Sequence, residues 1–502
     1  MLSSIQLKNF KSFKNLDDLK IKPITVLCGT NSCGKSSILQ SLLLLKQNKE
    51  SGNPNQSILL NGKYLNVGDI ENIIYGHDKN TTMSLTYEYE FTREELFASI
   101  GDTQIEGMQF LSMLSVPMDI IEMRDTTYKL SFTVESKASQ QKKGHINVAD
   151  IHRYEASITI MTGDNELIPG GYVQVENIES GCKLNWSGLR SDFFESESFC
   201  LLGEVEGIVV EFENLLPDIK YNDEELADKI PNGVSTFFRA IDHFLRTVNS
   251  AYSYLGPLRE GPQRRYIYEN EVLEIGAKGE NAAYIYQTEQ QTAVTDHCFY
   301  DGDNDLFYKE KELTLKQSLA HWLELMNIKG FGPDFQSEII RLNMNANSSN
   351  DTRVNIADVG FGVSQIFPIL LEGLRMKKNG TLILEQPEIH LHPALQMQMA
   401  DYFISLALSQ KNVLVETHSD HVVNRLVRRI VEDGEHNLSE MVAIYFVSSG
   451  EDGSTIEEVK IDSNKGIVNW PQGFFDQTAS EQEKIMMAGI KKRKANRSHK
   501  PS

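Results

Sequence analysis

Eight residues near the start of the chain, 29–36, read GTNSCGKS. Gly29 and Gly34 allow the backbone to curl tightly, so that successive N–H groups can point at one anion. Lys35 can place an ammonium group between the β- and γ-phosphates of a nucleotide, and the Ser36 hydroxyl can ligate Mg²⁺. The motif therefore predicts a P-loop for ATP and Mg²⁺. The predicted nucleotide contacts are the eight residues of the motif and the next one: Gly29, Thr30, Asn31, Ser32, Cys33, Gly34, Lys35, Ser36 and Ser37.

The segments on either side of this loop have the character that a P-loop requires. Residues 24–27 are a short apolar run with β-branched members, which predicts a buried strand. Residues 37–45 have the composition and length of a helix, whose positive end would face the phosphates. Strand, glycine-rich loop and helix in this order favour a true phosphate site over a chance match.

Two strands much later in the chain end in residues that can complete such a site. Residues 381–385 (TLILE) end in Glu385, which can hold Mg²⁺ directly or through water. Residues 413–418 (VLVETH) end in His418, which can hydrogen-bond the γ-phosphate from the carboxyl end of a strand. We therefore predict a metal site formed by Ser36 and Glu385.

A glycine-rich segment, residues 358–365 (DVGFGVSQ), precedes an apolar helix over 366–374. The start of a helix is suited to an anion. Gly360, Gly362 and Ser364 are therefore predicted nucleotide contacts, although a simple helix-start turn has the same pattern.

Together these motifs resemble the ABC-type ATPases of the RecF, SMC and OLD lineage. Residues 5–13 (IQLKNFKSF) look like the first strand of that lineage and add Lys11 to the predicted nucleotide contacts. Residues 384–393 (LEQPEIHLHP) lie where the lineage has its Walker B and D-loop, and residues 417–419 resemble its switch-histidine loop. The segment 360–365 takes the place of the signature motif. Residues 254–259 (YLGPLR) and 469–475 (NWPQGFF) are similar to a bacterial group with a short C-terminal extension.

The chain departs from that lineage at two places. Gln386 follows the Walker B acid where relatives usually have a glutamate that polarises the attacking water. A neutral amide can orient water but cannot accept its proton, so either Glu385 or Glu388 helps or turnover is slow. The predicted catalytic residues are therefore Glu385, Gln386, Glu388 and His418. The signature segment also lacks the usual Ser-Gly-Gly run.

The resemblance implies an α/β fold, a P-loop NTPase of the ABC-ATPase head type. We expect residues 1–75 and 355–460 to form a split head around an insertion, 76–354. The insertion lacks sustained heptads, so it is not the coiled coil of SMC-like proteins. Alternating segments at 82–91, 128–134 and 156–160 predict a β-rich lobe, and 226–248 and 315–326 predict helices. Residues 461–502 form a C-terminal extension with a basic tail.

Charge and composition limit the classes of partner. The chain has 502 residues with 49 basic and 70 acidic side chains, and its net charge of −21 disfavours non-specific wrapping by DNA. A DNA contact would have to use a local patch such as the basic tail at 491–500, which can equally be a solvated end. Five scattered cysteines do not form a disulfide framework. With no signal-like start and no apolar run of about 20 residues, we expect a cytoplasmic protein without a membrane span.

The resemblance also implies partners. In this lineage the signature loop of one subunit completes the nucleotide site of another, so we expect a homodimer or a higher homo-oligomer. OLD-type proteins carry a Toprim nuclease domain after the head, but too few residues follow His418 for one. Cleavage would then need a separately encoded effector, a nuclease, in anti-phage defence or DNA maintenance. An ATP-gated sensor or clamp with negligible hydrolysis is the alternative, and a transporter subunit is disfavoured by the large insertion.

Two other clusters allow more than one interpretation. His390 and His392 suggest zinc, but the absence of a Cys or HExxH pattern favours an ordinary turn. Arg259, Arg264 and Arg265 can either reach phosphate from a rigid turn or form ion pairs with the acidic surface.

Overall fold

The computed structural model describes residues 1–51, 56–100, 110–111, 114, 126–143, 146–164, 166–189, 202–220, 226, 229–267, 274–294, 296–310, 312–336, 338–346, 352–471, 473, 481 and 484–490. The basic tail lies outside the described residues, as does part of the 469–475 motif.

The described strands, in chain order, are β1 Leu2–Phe10, β2 Phe13–Lys20, β3 Ile24–Gly29, β4 Met83–Thr92, β5 Thr127–Lys143, β6 Ile146–Met161, β7 Leu167–Ile178, β8 Gly181–Ser187, β9 Gly203–Glu213, β10 Leu216–Lys220, β11 Tyr252–Leu255, β12 Tyr266–Ile267, β13 Ala293–Val294, β14 His297–Asp301, β15 Leu306–Glu310, β16 Leu313–Thr314, β17 Gly332–Gln336, β18 Ile339–Asn345, β19 Arg353–Asn355, β20 Thr381–Glu385, β21 Asn412–Glu416, β22 Val442–Gly450, β23 Gly453–Glu458, β24 Ile461–Asp462 and β25 Gly466–Ile467.

The described α-helices are α1 Lys35–Glu50, α2 Arg93–Ile100, α3 Asn232–Ser250, α4 Ala282–Glu289, α5 Leu315–Leu325, α6 Phe361–Arg375, α7 Pro393–Leu408, α8 Asp420–Glu432 and α9 Leu438–Met441. Short 3-10 turns occur at Ile70–Ile73, Tyr75–His77 and Ile356–Asp358.

A six-stranded sheet in the order β11-β20-β21-β3-β22-β23 forms the centre of the head. Its first five strands are parallel, and β23 returns from β22 as an antiparallel hairpin. Every residue of β20 and β21 is buried, as a parallel sheet covered on both faces requires. The carboxyl ends of β3, β20 and β21 therefore meet at one edge.

Each face of this sheet belongs to a separate apolar core. Side chains such as Leu27 and Leu414 pack in a cluster with α1 and the larger sheet, whereas Val26 and Val415 pack with α6, α7 and α8. The alternation follows from the two-residue side-chain period of a strand. The central sheet is thus held from both sides, which fixes the edge that carries the polar residues.

The larger sheet has nine antiparallel strands in the order β10-β9-β8-β7-β6-β5-β4-β1-β2. The strands predicted at 82–91, 128–134 and 156–160 are confirmed as β4 and parts of β5 and β6. The predicted helices are confirmed as α3 and α5, although α3 begins at Asn232, later than predicted. Because β1 pairs with β4, the expected boundary at residue 75 lies between neighbouring strands of this one sheet.

Helix α3 packs on α1, which connects the larger sheet to the P-loop helix. The Lys49 ammonium of α1 lies 2.6 Å from the Asp242 carboxylate of α3, and the lysine side chain is 1% exposed. A charge buried to that degree requires its partner, so the pair fixes how α3 docks. In the described part of the chain no helix has the length and apolarity to span a membrane.

Candidate functional site

The P-loop follows β3 at once and leads into α1. Gly29 has a φ of 146° and Gly34 a φ of 98°, conformations that side chains rarely adopt. A Cβ on Gly29 would lie 2.0 Å from the carbonyl oxygen of Val447 on β22, and one on Gly34 would lie 2.1 Å from the Ser12 Oγ. Both positions therefore require glycine for steric as well as conformational reasons.

The Lys35 ammonium is folded back over the loop. Its Nζ donates hydrogen bonds to the carbonyl oxygens of Thr30, at 2.6 Å, and Gly29, at 3.2 Å. The side chain is 2% exposed. An ammonium held by loop carbonyls is positioned to exchange them for phosphate oxygens, which bind it more strongly.

A cleft of about 340 Å³ opens beside the loop. It contains most of the predicted P-loop contacts and adds residues from the first strands and the 3-10 turns. Its lining consists of Lys11, Ser12, Ser32, Cys33, Gly34, Lys35, Ser36, Ser37, Asn72, Ile74, His77 and Glu416. Thr30 and Asn31 are exposed at the tip of the loop.

Glu416 is a site residue that the sequence analysis did not assign. It ends β21, which lies between β3 and β20, and its Cα is paired with Leu27 on one side and with Glu385 on the other. Its Oε2 accepts a 2.6 Å hydrogen bond from the Ser36 hydroxyl. The acid at the end of the buried VLVE run was the available signal, but the prediction passed over it to His418.

Glu385 lies in the next strand and is also buried, at 8% exposure. Its Oε1 accepts a 2.9 Å hydrogen bond from the Tyr254 hydroxyl on β11. Burial raises the pKa of Glu385 to about 7, the negative charge of Glu416 adds to this, and the Tyr254 bond and the Lys11 charge oppose it. Glu385 lines a neighbouring cavity of about 390 Å³, which shares Lys11 with the P-loop cleft.

Lys11 lies between these two cavities. It adopts a left-handed backbone conformation with a φ of 51°, and its ammonium hydrogen-bonds the Gln40 side chain. Burial lowers the pKa of Lys11, and the charge of Glu385 opposes that effect. The structure therefore places Lys11 at the P-loop, where the sequence predicted a nucleotide contact.

The turn after β20 contacts the turn after β21. Gln386 has a φ of 44°, and its N–H donates to the Glu416 carbonyl oxygen at 2.8 Å. The Glu388 carboxylate accepts bonds from the Thr417 hydroxyl, at 2.8 Å, and from the His418 N–H, at 2.7 Å. Glu388 thus holds the backbone that carries the histidine.

His418 is half-buried near the P-loop. Burial lowers the pKa of His418, the positive charge of Lys35 lowers it further, and a backbone hydrogen bond at Gly29 opposes both. The imidazole is therefore favoured in its neutral form, in which one nitrogen can still donate a hydrogen bond.

The predicted signature segment lies elsewhere. Gly360, with a φ of 89°, precedes the first residue of α6 and is exposed. Phe361 is 55% exposed, and its ring lies 5.6 Å from that of His390. The Ser364 hydroxyl donates to the Phe361 carbonyl oxygen at 2.8 Å. The described lining of the P-loop cleft includes none of Gly360, Gly362 and Ser364.

The structure shows what two of the three arginines contact. Arg259 is 6% exposed and donates to the carbonyl oxygens of Gln386, at 3.1 Å, and Gly256, at 3.2 Å. It therefore supports the turn after β20 by holding backbone. Arg264 forms an ion pair of 2.6 Å with Asp358.

His392 has an ordinary structural role at the start of a helix. His392 precedes α7, and its Nδ1 accepts a bond from the Ala394 N–H at 3.3 Å. Within the described ranges no group of three or more His, Cys, Asp and Glu side chains is arranged to hold a metal ion.

A P-loop between β3 and α1, buried carboxylates at the ends of β20 and β21, and a histidine just beyond β21 together define a P-loop nucleoside triphosphatase. The chain belongs to the family described as AAA ATPase domain, whose profile matches residues 1–163 and 209–423. The predicted fold class, an α/β P-loop ATPase domain that is split along the chain, is confirmed. A second profile, described as a protein of unknown function (DUF3696), matches residues 439–485.

Solved structures of SMC heads are similar to this chain. The SmcHead bound to the C-winged helix domain of ScpA has 10% identity and a TM-score of 0.41, and the match covers 92% of this chain and 98% of that one. The SMC head domain from Thermotoga maritima has 9% identity and a TM-score of 0.34, with coverages of 92% and 99%. The Smc head with an extended coiled coil, bound to the C-terminal domain of ScpA derived from Pyrococcus furiosus, has 10% identity and a TM-score of 0.36, with coverages of 97% and 99%. No curated protein matches the chain.

Proposed function

We propose that this chain binds ATP with Mg²⁺ in the P-loop cleft and hydrolyses it. The observation that carries the proposal is the convergence, at one edge of the central sheet, of the Lys35 ammonium, the Ser36 hydroxyl and the Glu416 carboxylate. An ammonium, a hydroxyl and buried acids fit a triphosphate and a divalent cation. Membership of the ATPase family supports the same function.

The roles follow from the positions of the side chains. Lys35 and the loop N–H groups bind the phosphates, and His418 donates a hydrogen bond toward the γ-phosphate. Ser36 and Glu385 are the predicted metal ligands, with Glu385 holding Mg²⁺ through a water molecule, and bound Mg²⁺ would neutralise charge on the phosphates. Gln386 orients the attacking water. Of the two glutamates left as proton acceptors, Glu385 is the better suited, because both oxygens of Glu388 already accept hydrogen bonds.

We further propose that ATP closes a homodimer, or a higher homo-oligomer, through the nucleotide sites. Gly360 and Phe361 are exposed at the start of α6, so they are accessible to a second copy of the chain. In such an assembly Gly360, Gly362 and Ser364 of one copy would contact the γ-phosphate held by the other. Their position outside the described lining of the chain's own cleft supports this arrangement.

The resemblance to the RecF, SMC and OLD lineage supports a regulatory use of this cycle. We propose that the assembly controls a separately encoded effector, a nuclease, in anti-phage defence or DNA maintenance, and that direct DNA contact uses the basic tail. We propose the cytoplasm as the compartment. The cysteines in the described part of the chain are free, which suits a reducing environment.

A second candidate is an ATP-gated sensor or clamp with negligible hydrolysis. Gln386 favours it, because relatives have an acid there and an amide cannot accept a proton. In this version ATP binding alone closes the assembly and turnover only resets it slowly.

Phosphate release and molecular mass, measured on the same samples, test the proposal. We expect the full-length chain to release phosphate from ATP with Mg²⁺ and to increase in mass when a non-hydrolysable ATP analogue is added. DNA is added in parallel to find whether it is a trigger. Binding without phosphate release under every condition would replace the enzyme with the sensor, and an unchanged mass would refute closure.

A further inference from the structure

Glu416 is a buried acid on the strand that separates the P-loop strand from the strand carrying Glu385. It is 3% exposed, and its Oε2 accepts a 2.6 Å hydrogen bond from the Ser36 hydroxyl. Ser36 is the P-loop residue that the motif assigns to Mg²⁺. The carboxylate directly bonded to the predicted metal-binding hydroxyl is therefore Glu416, whereas the described hydrogen bond of Glu385 goes to Tyr254.

The charges around Glu416 and Glu385 also favour a cation beside Ser36. Across the described ranges neither Glu416 nor Glu385 forms a direct ion pair, although their Cα atoms are partners in the sheet. The charges of Lys35 and Lys11 act on the two acids only from a longer distance. Two neighbouring buried carboxylates with no cation in direct contact are costly. A divalent cation beside Ser36 would supply the missing positive charge.

On these grounds we infer that Glu416 is the carboxylate that organises the Mg²⁺ site. It accepts a hydrogen bond from the Ser36 hydroxyl and so turns the lone pairs of the Ser36 oxygen toward the cation. A hydroxyl that donates its only proton to one neighbour can offer only lone pairs to another. The second oxygen of Glu416 is then available to a water bound to the metal. Glu416 is a positioning residue in this role, and the inference rests on the proposed function.

The same arrangement gives a physical reason for Gln386. The Gln386 N–H donates to the Glu416 carbonyl oxygen at 2.8 Å, so position 386 lies directly beside Glu416. A glutamate at position 386 would instead bring a third carboxylate to a buried site that already holds two. With Glu416 at the metal, Glu385 is free to accept a proton from water.

Metal affinity measured on the full-length chain tests this role independently of turnover. ATP is titrated by calorimetry in excess Mg²⁺ and in EDTA, and electron paramagnetic resonance reports Mn²⁺ binding to the ATP complex. The variants are E416Q, E385Q and the control E310Q, whose exposed glutamate lies on β15.

We expect E416Q to bind ATP in EDTA within about twofold of wild type, because the loop and Lys35 are intact. Its Mn²⁺ affinity should fall by roughly 10–100-fold, the range for residues that orient metal ligands. E385Q should lose less metal affinity than E416Q, and E310Q should match wild type.

Wild-type Mn²⁺ affinity in E416Q, or a larger loss in E385Q than in E416Q, would overturn the inference. If E416Q does not fold, E416D replaces it. Its carboxylate is shorter by one methylene and should lose the Ser36 bond, so wild-type Mn²⁺ affinity in E416D would overturn the inference equally. If wild type binds no ATP in Mg²⁺ or EDTA, the proposed function itself fails.

Discussion

Glu388, in the turn after β20, accepts a 2.7 Å hydrogen bond from the backbone N–H of His418, in the turn after β21. A second bond, 2.8 Å long, comes from the Thr417 hydroxyl. One carboxylate therefore joins the turn after β20 to the turn that carries the histidine. Both of its oxygens are occupied, which leaves it poorly placed to take a proton from water.

Glu388→Gln tests this positioning role. The amide keeps one acceptor oxygen but turns an NH₂ group toward the second donor. Loss of a hydrogen bond to a charged group costs about 1.5–3 kcal/mol, so the kcat for phosphate release should fall roughly 10–100-fold, while KM for ATP changes little. The pH profile should keep its shape. Disappearance of its acidic limb in the variant would instead identify Glu388 as the base.

Gly29→Ala should destabilise the protein more than the same substitution at a positive-φ glycine in open space. The new Cβ would lie 2.0 Å from the backbone oxygen of Val447, which the central sheet holds in place. Gly207 is the matched control, since its φ is 79° and nothing lies within 4 Å of a Cβ there. We expect a loss of about 3 kcal/mol or more for Gly29→Ala and about 1 kcal/mol for Gly207→Ala in urea unfolding. Equal losses would show that the close approach is not rigid.

Arg259→Lys should weaken the turn after β20. Lysine offers one ammonium where the guanidinium bonds the carbonyl oxygens of Gly256 and Gln386 from separate nitrogens. A buried carbonyl left without a donor costs about 1–3 kcal/mol, and we expect the free energy of unfolding to fall by that amount. Arg264→Lys is the control, because that arginine is exposed in a surface ion pair and should change by at most about 0.5 kcal/mol. Indistinguishable variants would contradict the supporting role of Arg259.

We expect the free energy of unfolding to depend on pH through Lys411. Burial lowers its pKa from 10.5 to about 8, and the charge of Glu372 opposes that effect. Between these values the unfolded chain binds a proton that the folded chain does not, so stability rises with pH and is lost as pH falls toward 8. The free-energy difference between wild type and Lys411→Met should shift by up to about 3 kcal/mol in favour of wild type between pH 8 and pH 10.5. Chemical unfolding across that range measures it. With the exposed Lys14→Met as control, a flat difference for Lys411 would contradict the prediction.

The parts of the site that lie close in sequence were predictable. Strand, loop and helix around Lys35 follow from local pattern, because their apolar periods and glycines act over a few residues. The strand ending in Glu385 and the strand just before His418 were predictable for the same reason. The residue types of the P-loop also indicated its chemistry, since an ammonium group beside a hydroxyl and a glycine-rich turn suits phosphate.

The rest depends on contacts between distant residues. Ser36 and Glu416 are 380 positions apart, and only the insertion of β21 between β3 and β20 brings them together. The pairing of β1 with β4, which connects the first strand to the large sheet, is likewise a long-range contact. The role of Arg259 could not be assigned from the sequence either, because burial decides whether an arginine binds phosphate or hydrogen-bonds backbone carbonyls. The order of strands in the sheets, rather than local propensity, determines which of these distant residues come into contact.

ATP binding by wild type and Lys35→Ala, measured by calorimetry in Mg²⁺, tests the central claim most directly. Lys14→Ala is the control, since the Lys14 side chain is 55% exposed and pairs with Asp452. We expect wild type and Lys14→Ala to bind ATP with affinities within about twofold. Lys35→Ala should bind at least about 100-fold more weakly, a loss of roughly 2.7 kcal/mol. ATP binding by Lys35→Ala with the wild-type affinity would contradict a nucleotide site at this P-loop.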